Sequence, residues 1–140
     1  MNQLLEKLPD QLTRLYNHFP ITLTHHDYHP KNIIYFHGQV VIIDWASAYL
    51  SPHLGDLYCL LQSAKDFDIS STDLIKIYCE GLDPKHTVDI EWQIKIGGIC
   101  WIIHVLRELL DYGIDAIPEA KDWLADLVLD INKLMNGIRK

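Results

Sequence analysis

The stretch from Thr24 to Asp44 constrains this chain most strongly, because it sets a polar segment beside two short apolar runs. Its sequence is THHDYHPKNIIYFHGQVVIID. The apolar runs, residues 32–36 and 40–43, are rich in β-branched residues and lie on either side of a short turn. Gly38 in that turn can adopt a positive φ, so the pattern predicts a β-hairpin. Asp44 would stand at the end of the second strand.

Apolar residues at helical spacing occupy most of the remaining sequence. Pro9 is expected to interrupt the first of these patterns, and Asp56 is expected to be the N-cap of the second helix. The pair Gly97-Gly98 lowers helix propensity, so another element should approach the longest helix closely at this point. Gly113 should end that helix. The helices are predicted at about 10–18, 56–67 and 72–80, from Thr87 or Asp89 to about Tyr112, and from Pro118 onward, with residues 46–53 irregular.

Length and composition fit one globular domain. The chain has 140 residues, of which 49% are apolar and 22% are charged. A chain of this length can bury a hydrophobic core, and the composition is not that of a disordered protein. Cys59, Cys79 and Cys100 form no CxxC pair and are expected to be reduced thiols. Together with the helical patterns, these features predict a single α+β domain, mostly α, over residues 1–140.

The charge and the hydropathy pattern argue against two classes of partner. The formal net charge is -7, which disfavours nucleic acid or an anionic membrane surface as the main ligand. The longest apolar run, residues 96–103, is too short to span a membrane. The first residues, MNQLLEKLPDQ, lack the basic and apolar regions of a signal peptide, so a cytoplasmic location is expected.

Residues of the central stretch have the spacing and the chemistry that phosphoryl transfer needs. His25, Asp27 and Asn32 stand as H-x-D-x-x-x-x-N, which is the spacing of a kinase catalytic loop. In such a loop the Asp orients the acceptor hydroxyl and takes its proton, while the Asn holds a Mg²⁺ on the ATP phosphates. A second carboxylate must hold the metal from a neighbouring strand, and Asp44 is where that carboxylate is expected.

The motifs HHDYHPKNII, VVIIDWA and GDLYCLL together resemble the aminoglycoside phosphotransferase and choline kinase family of small-molecule kinases. That family shows H-G-D-x-H-P-x-N, then I-D-W or I-D-F, and then an Asp before a Leu-rich helix. The resemblance implies that Asp27 is catalytic, that Asn32 and Asp44 bind Mg²⁺, and that His25 and Asp56 support the loop. It also implies the C-terminal lobe of the protein-kinase-like fold, with helices around a catalytic loop and a small β-hairpin.

The reaction that this resemblance implies is transfer of the γ-phosphoryl group of Mg²⁺-ATP to a small-molecule hydroxyl. The acceptor would be an aminoglycoside, a choline-like amino alcohol or a sugar. The sequence departs from the family at His26, where the family has Gly, and only residues 1–23 precede the loop. The nucleotide-binding N-terminal lobe is therefore expected to be absent, and the chain alone should bind ATP weakly. A separate N-lobe chain or self-association is expected to cover the exposed surface.

Other functions also fit the sequence. One is a non-catalytic remnant or binding module of the same family. Another is a metallohydrolase in which His25, His26, Asp27 and His29 bind zinc or iron. Acidic residues on and after the longest helix could attract a cationic substrate, although a solvated surface explains them as well. These acidic residues are Glu108, Asp111, Asp115, Glu119 and Asp122.

Overall fold

The computed structural model describes residues 2–117 and 119–138. The protein is mostly helical (65%), with small antiparallel β-hairpins, as the predicted α+β class requires. Pro118, which was expected to open the last helix, lies outside the described residues. The helices are α1 (Asn2–His18), α2 (Gly55–Ala64), α3 (Ser71–Glu80), α4 (Ile90–Glu108), α5 (Ile114–Ala116) and α6 (Ala120–Asn136). The strands are β1 (Thr22–Thr24), β2 (Ile33–Phe36), β3 (Gln39–Ile42) and β4 (Tyr49–Ser51).

The predicted hairpin is confirmed. β2 and β3 pair antiparallel in a register that leaves only His37 and Gly38 in the turn. Both turn residues have a positive φ, 49° and 78° respectively, as a two-residue type I′ turn requires. The pairing continues one step beyond β2, because the N–H of Ile43 donates to the carbonyl of Asn32 at 3.0 Å. The hairpin therefore brings the end of β3 back beside Asn32.

The prediction of irregular structure for residues 46–53 is wrong, because β4 lies there and pairs antiparallel with β1. The buried face of this pair is polar, since Thr24 Oγ1 and Ser51 Oγ lie 2.7 Å apart in the interior. The exposed face is apolar and carries Leu23 opposite Leu50. A strand usually buries its apolar face. The reversed pattern explains why the sequence did not indicate β4.

Helix α4 lies at the centre of the helical part of the protein. Ile96, Ile99 and Ile102 on this helix are almost fully buried. Helices α1, α2 and α6 all contact α4. The residues that meet in this core include Leu15, Leu61, Ile131 and Met135.

The pair Gly97-Gly98 permits close packing of α2 against α4, as predicted. A Cβ added at Gly97 would lie 2.5 Å from the backbone carbonyl carbon of Leu54. A Cβ added at Gly98 would lie 2.6 Å from Cδ2 of the Tyr58 ring. Neither contact is possible without moving α2. The loss of helix propensity at these glycines is thus offset by the packing that they allow.

The prediction that Pro9 interrupts the first helix is wrong. Helix α1 runs through Pro9 without a break. Leu8 and Leu12 lie on the same side of this helix, and both pack against the core around the fully buried Leu15. Packing of this apolar side therefore outweighs the backbone hydrogen bond that a proline within a helix removes.

Two predictions about helix ends are also wrong. The N-cap of α2 is Leu54 rather than Asp56, and no side chain caps this helix end. The carboxylate of Asp56 instead accepts hydrogen bonds from the loop that precedes the hairpin. Gly113 does not end α4, which passes into a π-helical turn at Leu109–Gly113 and then into α5. Glycine lowers helix propensity, but here it does not stop the chain from continuing as helix.

The cysteines are free thiols, as predicted. Burial raises the pKa of Cys59 to about 12 and that of Cys100 to about 11, so both stay protonated at neutral pH. Throughout the described part of the chain, no helix combines the length and the apolar character needed to cross a membrane.

Candidate active site

The loop of residues 25–32 is held by its first residue, His25, whose ring is almost completely buried. His25 Nε2 lies 2.8 Å from the carbonyl oxygen of Ile43, and the N–H of Asp27 donates to His25 Nδ1 at 3.2 Å. These two bonds fit only the neutral ring that carries its proton on Nε2, because Nδ1 must accept. His25 therefore joins the loop to Ile43, just after β3, through Nε2, and stabilises the turn of the loop itself through Nδ1.

Asp56 holds the same loop from the side of α2. Its Oδ2 accepts from the N–H of His25 at 2.6 Å, and its Oδ1 accepts from the N–H of His26 at 2.8 Å. The residue lies in the first turn of α2, where the helix dipole favours a negative charge. Two neighbouring backbone N–H groups are thus satisfied by one carboxylate, which fixes the direction of the chain just before Asp27.

Asp27 and Asn32 are in direct contact. The amide nitrogen of Asn32 donates to Asp27 Oδ2 at 3.0 Å and to the Asp27 carbonyl at 2.9 Å. His29 Nε2 lies 3.3 Å from the same Asp27 Oδ2. Asn32 is buried, whereas the Asp27 side chain is 49% exposed. The loop therefore presents a carboxylate oriented by an amide and an imidazole while leaving it open to solvent.

Asp44 lies beside this pair along the backbone. It follows Ile43, whose N–H is bonded to the carbonyl of Asn32. Its side chain is exposed, and its φ of 64° lies in the left-handed region, where Asp is one of the few side chains tolerated. Within residues 2–117 and 119–138, no hydrogen bond reaches either the Asp44 carboxylate or the Asn32 amide oxygen. These oxygens are the type of donor that Mg²⁺ prefers.

His26 was not assigned a role in the phosphoryl-transfer reading, yet it is among the most tightly enclosed residues. Its φ is 77°, and Trp101 Nε1 donates to its carbonyl at 2.6 Å. Its Nε2 lies 3.2 Å from His104 Nδ1 and 3.7 Å from Glu108 Oε2. Burial lowers the pKa of His26, and the nearby His104 lowers it further. The only sequence sign of this contact was the i, i+4 spacing of His104 and Glu108 on a helix.

Two further residues, Tyr49 and His53, lie next to His26, and no sequence pattern indicated either of them. The Tyr49 hydroxyl lies 3.0 Å from His53 Nε2, and the N–H of Gly55 donates to His53 Nδ1 at 3.1 Å. Burial lowers the pKa of His53 to about 4, with the nearby His26 contributing. Burial also raises the pKa of the Tyr49 hydroxyl. Both side chains are therefore neutral at pH 7 and bond to each other as donor and acceptor.

The metallohydrolase reading, in which His25, His26, Asp27 and His29 bind one metal, is not supported by the geometry. Both His25 ring nitrogens are engaged by backbone groups, and the His26 ring turns toward α4. Among the described residues, the group of three or more potential metal ligands that does converge is His26, His104 and Glu108. Neighbouring residues of a loop can point to opposite sides of the backbone. The side chains of His25, His26, Asp27 and His29 therefore do not meet at one metal position, although they are close in sequence.

Comparison with known proteins places this site in a family. Neither the curated proteins nor the solved structures contain a significant match. A sequence model described as "Phosphotransferase enzyme family" matches residues 1–87, a range that includes the loop, the hairpin and Asp56. The resemblance drawn from the motifs is thereby confirmed. Since the match covers more than half of the 140 residues, the chain belongs to the phosphotransferase enzyme family.

Proposed function

We propose that this protein transfers the γ-phosphoryl group of ATP to a hydroxyl of a small molecule, such as an aminoglycoside, a choline-like amino alcohol or a sugar. Family membership supports a phosphotransferase function in general terms. The observation that supports transfer to a small-molecule hydroxyl is the contact between Asp27 and Asn32 in a loop held by Asp56. Phosphoryl transfer depends mainly on positioning and electrostatics, so a rigid pair of this kind suits the reaction.

In this proposal Asp27 is the catalytic residue. Its exposed carboxylate would accept a hydrogen bond from the acceptor hydroxyl, orient it toward the phosphorus and take its proton. The bond from Asn32 and the nearby His29 fix one carboxylate oxygen, Oδ2. This leaves Oδ1 as the atom that would meet the substrate. A base positioned in this way typically contributes about 10²- to 10⁴-fold to the rate.

Asn32 and Asp44 would hold the Mg²⁺ that accompanies ATP. The donor set fits, because one amide oxygen and one carboxylate are available and Mg²⁺ takes few protein ligands besides phosphates and water. The hydrogen bond from the N–H of Ile43 to the carbonyl of Asn32 keeps Asn32 and Asp44 at adjacent ends of β2 and β3. Mg²⁺ supplies charge neutralisation at the phosphates when it is bound. His25 and Asp56 would act as supports that keep the loop in register with β3.

We propose that the fold is the C-terminal lobe of a protein-kinase-like domain, with residues 1–140 as one domain. The nucleotide-binding lobe would then be supplied by another polypeptide or by residues beyond this sequence. An exposed apolar surface on the hairpin supports this view, because large exposed patches mark interaction sites. Tyr35 is 74% exposed and Phe36 is 64% exposed. Self-association through the same surface is the alternative way to cover it.

The test is phosphoryl transfer from Mg²⁺-ATP, measured as ADP release with aminoglycosides, amino alcohols and sugars as acceptors. We expect Asp27→Asn to lower the transfer rate by at least about 100-fold while ATP binding, measured by calorimetry, stays the same. Asp126→Asn removes an exposed carboxylate from α6 and is the matched control, for which no change is expected. Equal rates in the wild type and Asp27→Asn would refute the catalytic role.

A second candidate is a non-catalytic binding module of the same family. The observation that favours it is His26, because a buried ring in the left-handed region stands directly before Asp27. Under this reading the loop is a rigid scaffold with no turnover. Turnover separates the two candidates, since a kinase releases ADP in the presence of an acceptor once its nucleotide-binding lobe is supplied, whereas a binding module does not.

A further inference from the structure

We propose that His26, His104 and Glu108 form a second metal site, selective for a transition-metal ion such as Zn²⁺ and separate from the proposed Mg²⁺ site. His26 comes from the loop, whereas His104 and Glu108 lie one turn apart on α4. One potential ligand atom from each residue lies within 4.8 Å of the other two. Two imidazoles and one carboxylate are a ligand set that zinc uses in proteins.

The distances are close to those of a tetrahedral site. Zn–N bonds of about 2.0–2.1 Å put two ligand atoms about 3.3 Å apart at the tetrahedral angle. His26 Nε2 and His104 Nδ1 lie 3.2 Å apart. Glu108 Oε2 lies 3.7 Å from His26 Nε2, and Glu108 Oε1 lies 4.0 Å from His104 Nδ1. The Glu108 side chain is 49% exposed, so a small rotation toward the rings completes the third position.

The conformation of His26 shows that its ring is held toward His104 and Glu108 against an unfavourable backbone geometry. Its φ of 77° lies in the left-handed region, which glycine adopts freely and in which a bulky side chain is strained. Its Nδ1 is buried without a hydrogen-bond partner in the described part of the chain. All polar contacts of the ring point instead toward His104 and Glu108. Strain and an unsatisfied buried atom at one residue are common where a side chain has a functional task.

The aromatic surroundings orient these rings. Tyr49 packs against the His104 ring with centroids 5.0 Å apart, and Trp101 lies beside the His26 ring with centroids 6.2 Å apart. A metal ligand needs a fixed ring direction, which packing of this kind provides. The opposite side of the cluster, at Glu108, is open to solvent, so a water could occupy the fourth position.

The same donors disfavour Mg²⁺. Magnesium takes oxygen ligands in octahedral geometry, whereas imidazole suits zinc, copper, iron and nickel. The two proposed sites should therefore take different metals. The oxygen atoms of Asn32 and Asp44, which would bind Mg²⁺, lie in another part of the loop and hairpin. A metal held by His26 would connect the residue next to Asp27 to helix α4. It would therefore stabilise the loop conformation without entering the phosphoryl-transfer step.

The experiment is titration of the metal-free full chain with Zn²⁺ by calorimetry, and with Co²⁺ by visible absorption, in excess Mg²⁺. We expect one ion per chain and a Co²⁺ spectrum of four-coordinate type. His104→Ala and Glu108→Gln should each weaken Zn²⁺ binding by at least about tenfold, because changes in groups that only support a ligand already have effects of 10- to 100-fold. His37→Asn and Asp111→Asn are the matched controls, for which unchanged affinity is expected.

Thermal unfolding gives a second measurement. Zn²⁺ should raise the Tm of the wild type, since a ligand that binds only the folded state stabilises it. His26→Gly should fold, because glycine accepts the backbone conformation, and should show no rise with Zn²⁺. Asn32→Ala and Asp44→Asn should keep the full rise, which separates this site from the proposed Mg²⁺ site. No Zn²⁺ binding by the wild type, or equal affinity in His104→Ala and Glu108→Gln, would overturn the proposal.

Discussion

The loop of residues 25–32 and the hairpin that follows it are stabilised in different ways. In the loop, buried polar groups bond to one another, and Asp56 alone satisfies two backbone N–H groups. In the hairpin, the backbone is paired but the large side chains of Tyr35 and Phe36 face solvent. The comparison teaches that the protein fixes its candidate catalytic loop through internal bonds, while the hairpin is stabilised by its own backbone pairing and leaves these side chains exposed. Changes near the loop should therefore reduce stability much more than changes on the hairpin.

The largest loss of stability is expected at the contact between α2 and α4, the two helices whose side chains bond to the loop. Gly97→Ala would place a Cβ 2.5 Å from the Leu54 backbone, so α2 must move and the free energy of unfolding should fall by about 3 kcal/mol. Urea denaturation measures this change. Gly81→Ala is the control, because its nearest atom would lie at an ordinary 3.6 Å. A loss at Gly97 no larger than at Gly81 would contradict the packing described here.

The next effect is expected at Asp56. Asp56→Ala leaves the N–H groups of His25 and His26 without their acceptor. The expected cost is about 2–3 kcal/mol, since both groups are only partly buried and each should cost an amount near the lower end of the range of about 1–3 kcal/mol. Hydrogen exchange of these two amides should rise more than that of the hairpin amides. Asp73→Ala, in the corresponding first turn of α3, is the control. Unchanged exchange at both amides would mean that the loop is held by other contacts.

A pH effect of about 2 kcal/mol is expected from His53. Its folded pKa of about 4 lies below its unfolded value of about 6.5, so the unfolded chain binds the proton more readily. Stability is therefore complete above pH 6.5 and decreases as the pH falls toward 4, by about 2 kcal/mol between pH 7 and pH 5. The groups that face His53 are Tyr49, Gly55, His26 and His104.

His53→Gln should flatten this pH dependence when urea denaturation is measured at both pH values in a buffer with a chelator. His37→Gln removes an exposed histidine from the hairpin turn and should keep the wild-type slope. The difference between the two variants isolates the contribution of His53 from that of His26. A wild-type slope in His53→Gln would show that the buried imidazole does not titrate as expected.

The smallest effect on stability is expected on the hairpin. Tyr35→Thr and Phe36→Thr keep β propensity and change only exposed atoms, so the free energy of unfolding should change by less than about 0.5 kcal/mol. The same changes should weaken any association through this surface, which sedimentation velocity measures at high protein concentration. A large loss of monomer stability would contradict the prediction that changes on the hairpin reduce stability less than changes near the loop.

The sequence was sufficient where the determining interactions are local. The turn at His37-Gly38 follows from the conformational freedom of glycine, and the close approach at Gly97-Gly98 follows from the poor helix propensity of that pair. The roles of Asp27, Asn32 and Asp44 stay predictions, and the structure places the side chains of the first two in contact.

The sequence was insufficient where the interaction is distant along the chain. Strand β4 could not be predicted, because it buries Ser51 and exposes Leu50, against the usual alternation. Asp56 has the residue type of an N-cap, but the N–H groups it binds lie about thirty positions earlier in the chain. His104 meets His26 only because α4 passes beside the loop, and the i, i+4 spacing of His104 and Glu108 does not show which loop the helix meets.

The bond from Trp101 Nε1 to the carbonyl of His26 gives the loop a built-in optical reporter. If the loop moves and the indole N–H bonds to water instead of to the His26 carbonyl, the emission of Trp101 changes. Its fluorescence therefore reports the position of the loop. If the other tryptophans, Trp45, Trp92 and Trp123, are replaced by phenylalanine, the remaining signal comes from one turn of α4 beside the candidate active site. Nucleotide or metal binding could then be followed in real time without an attached dye.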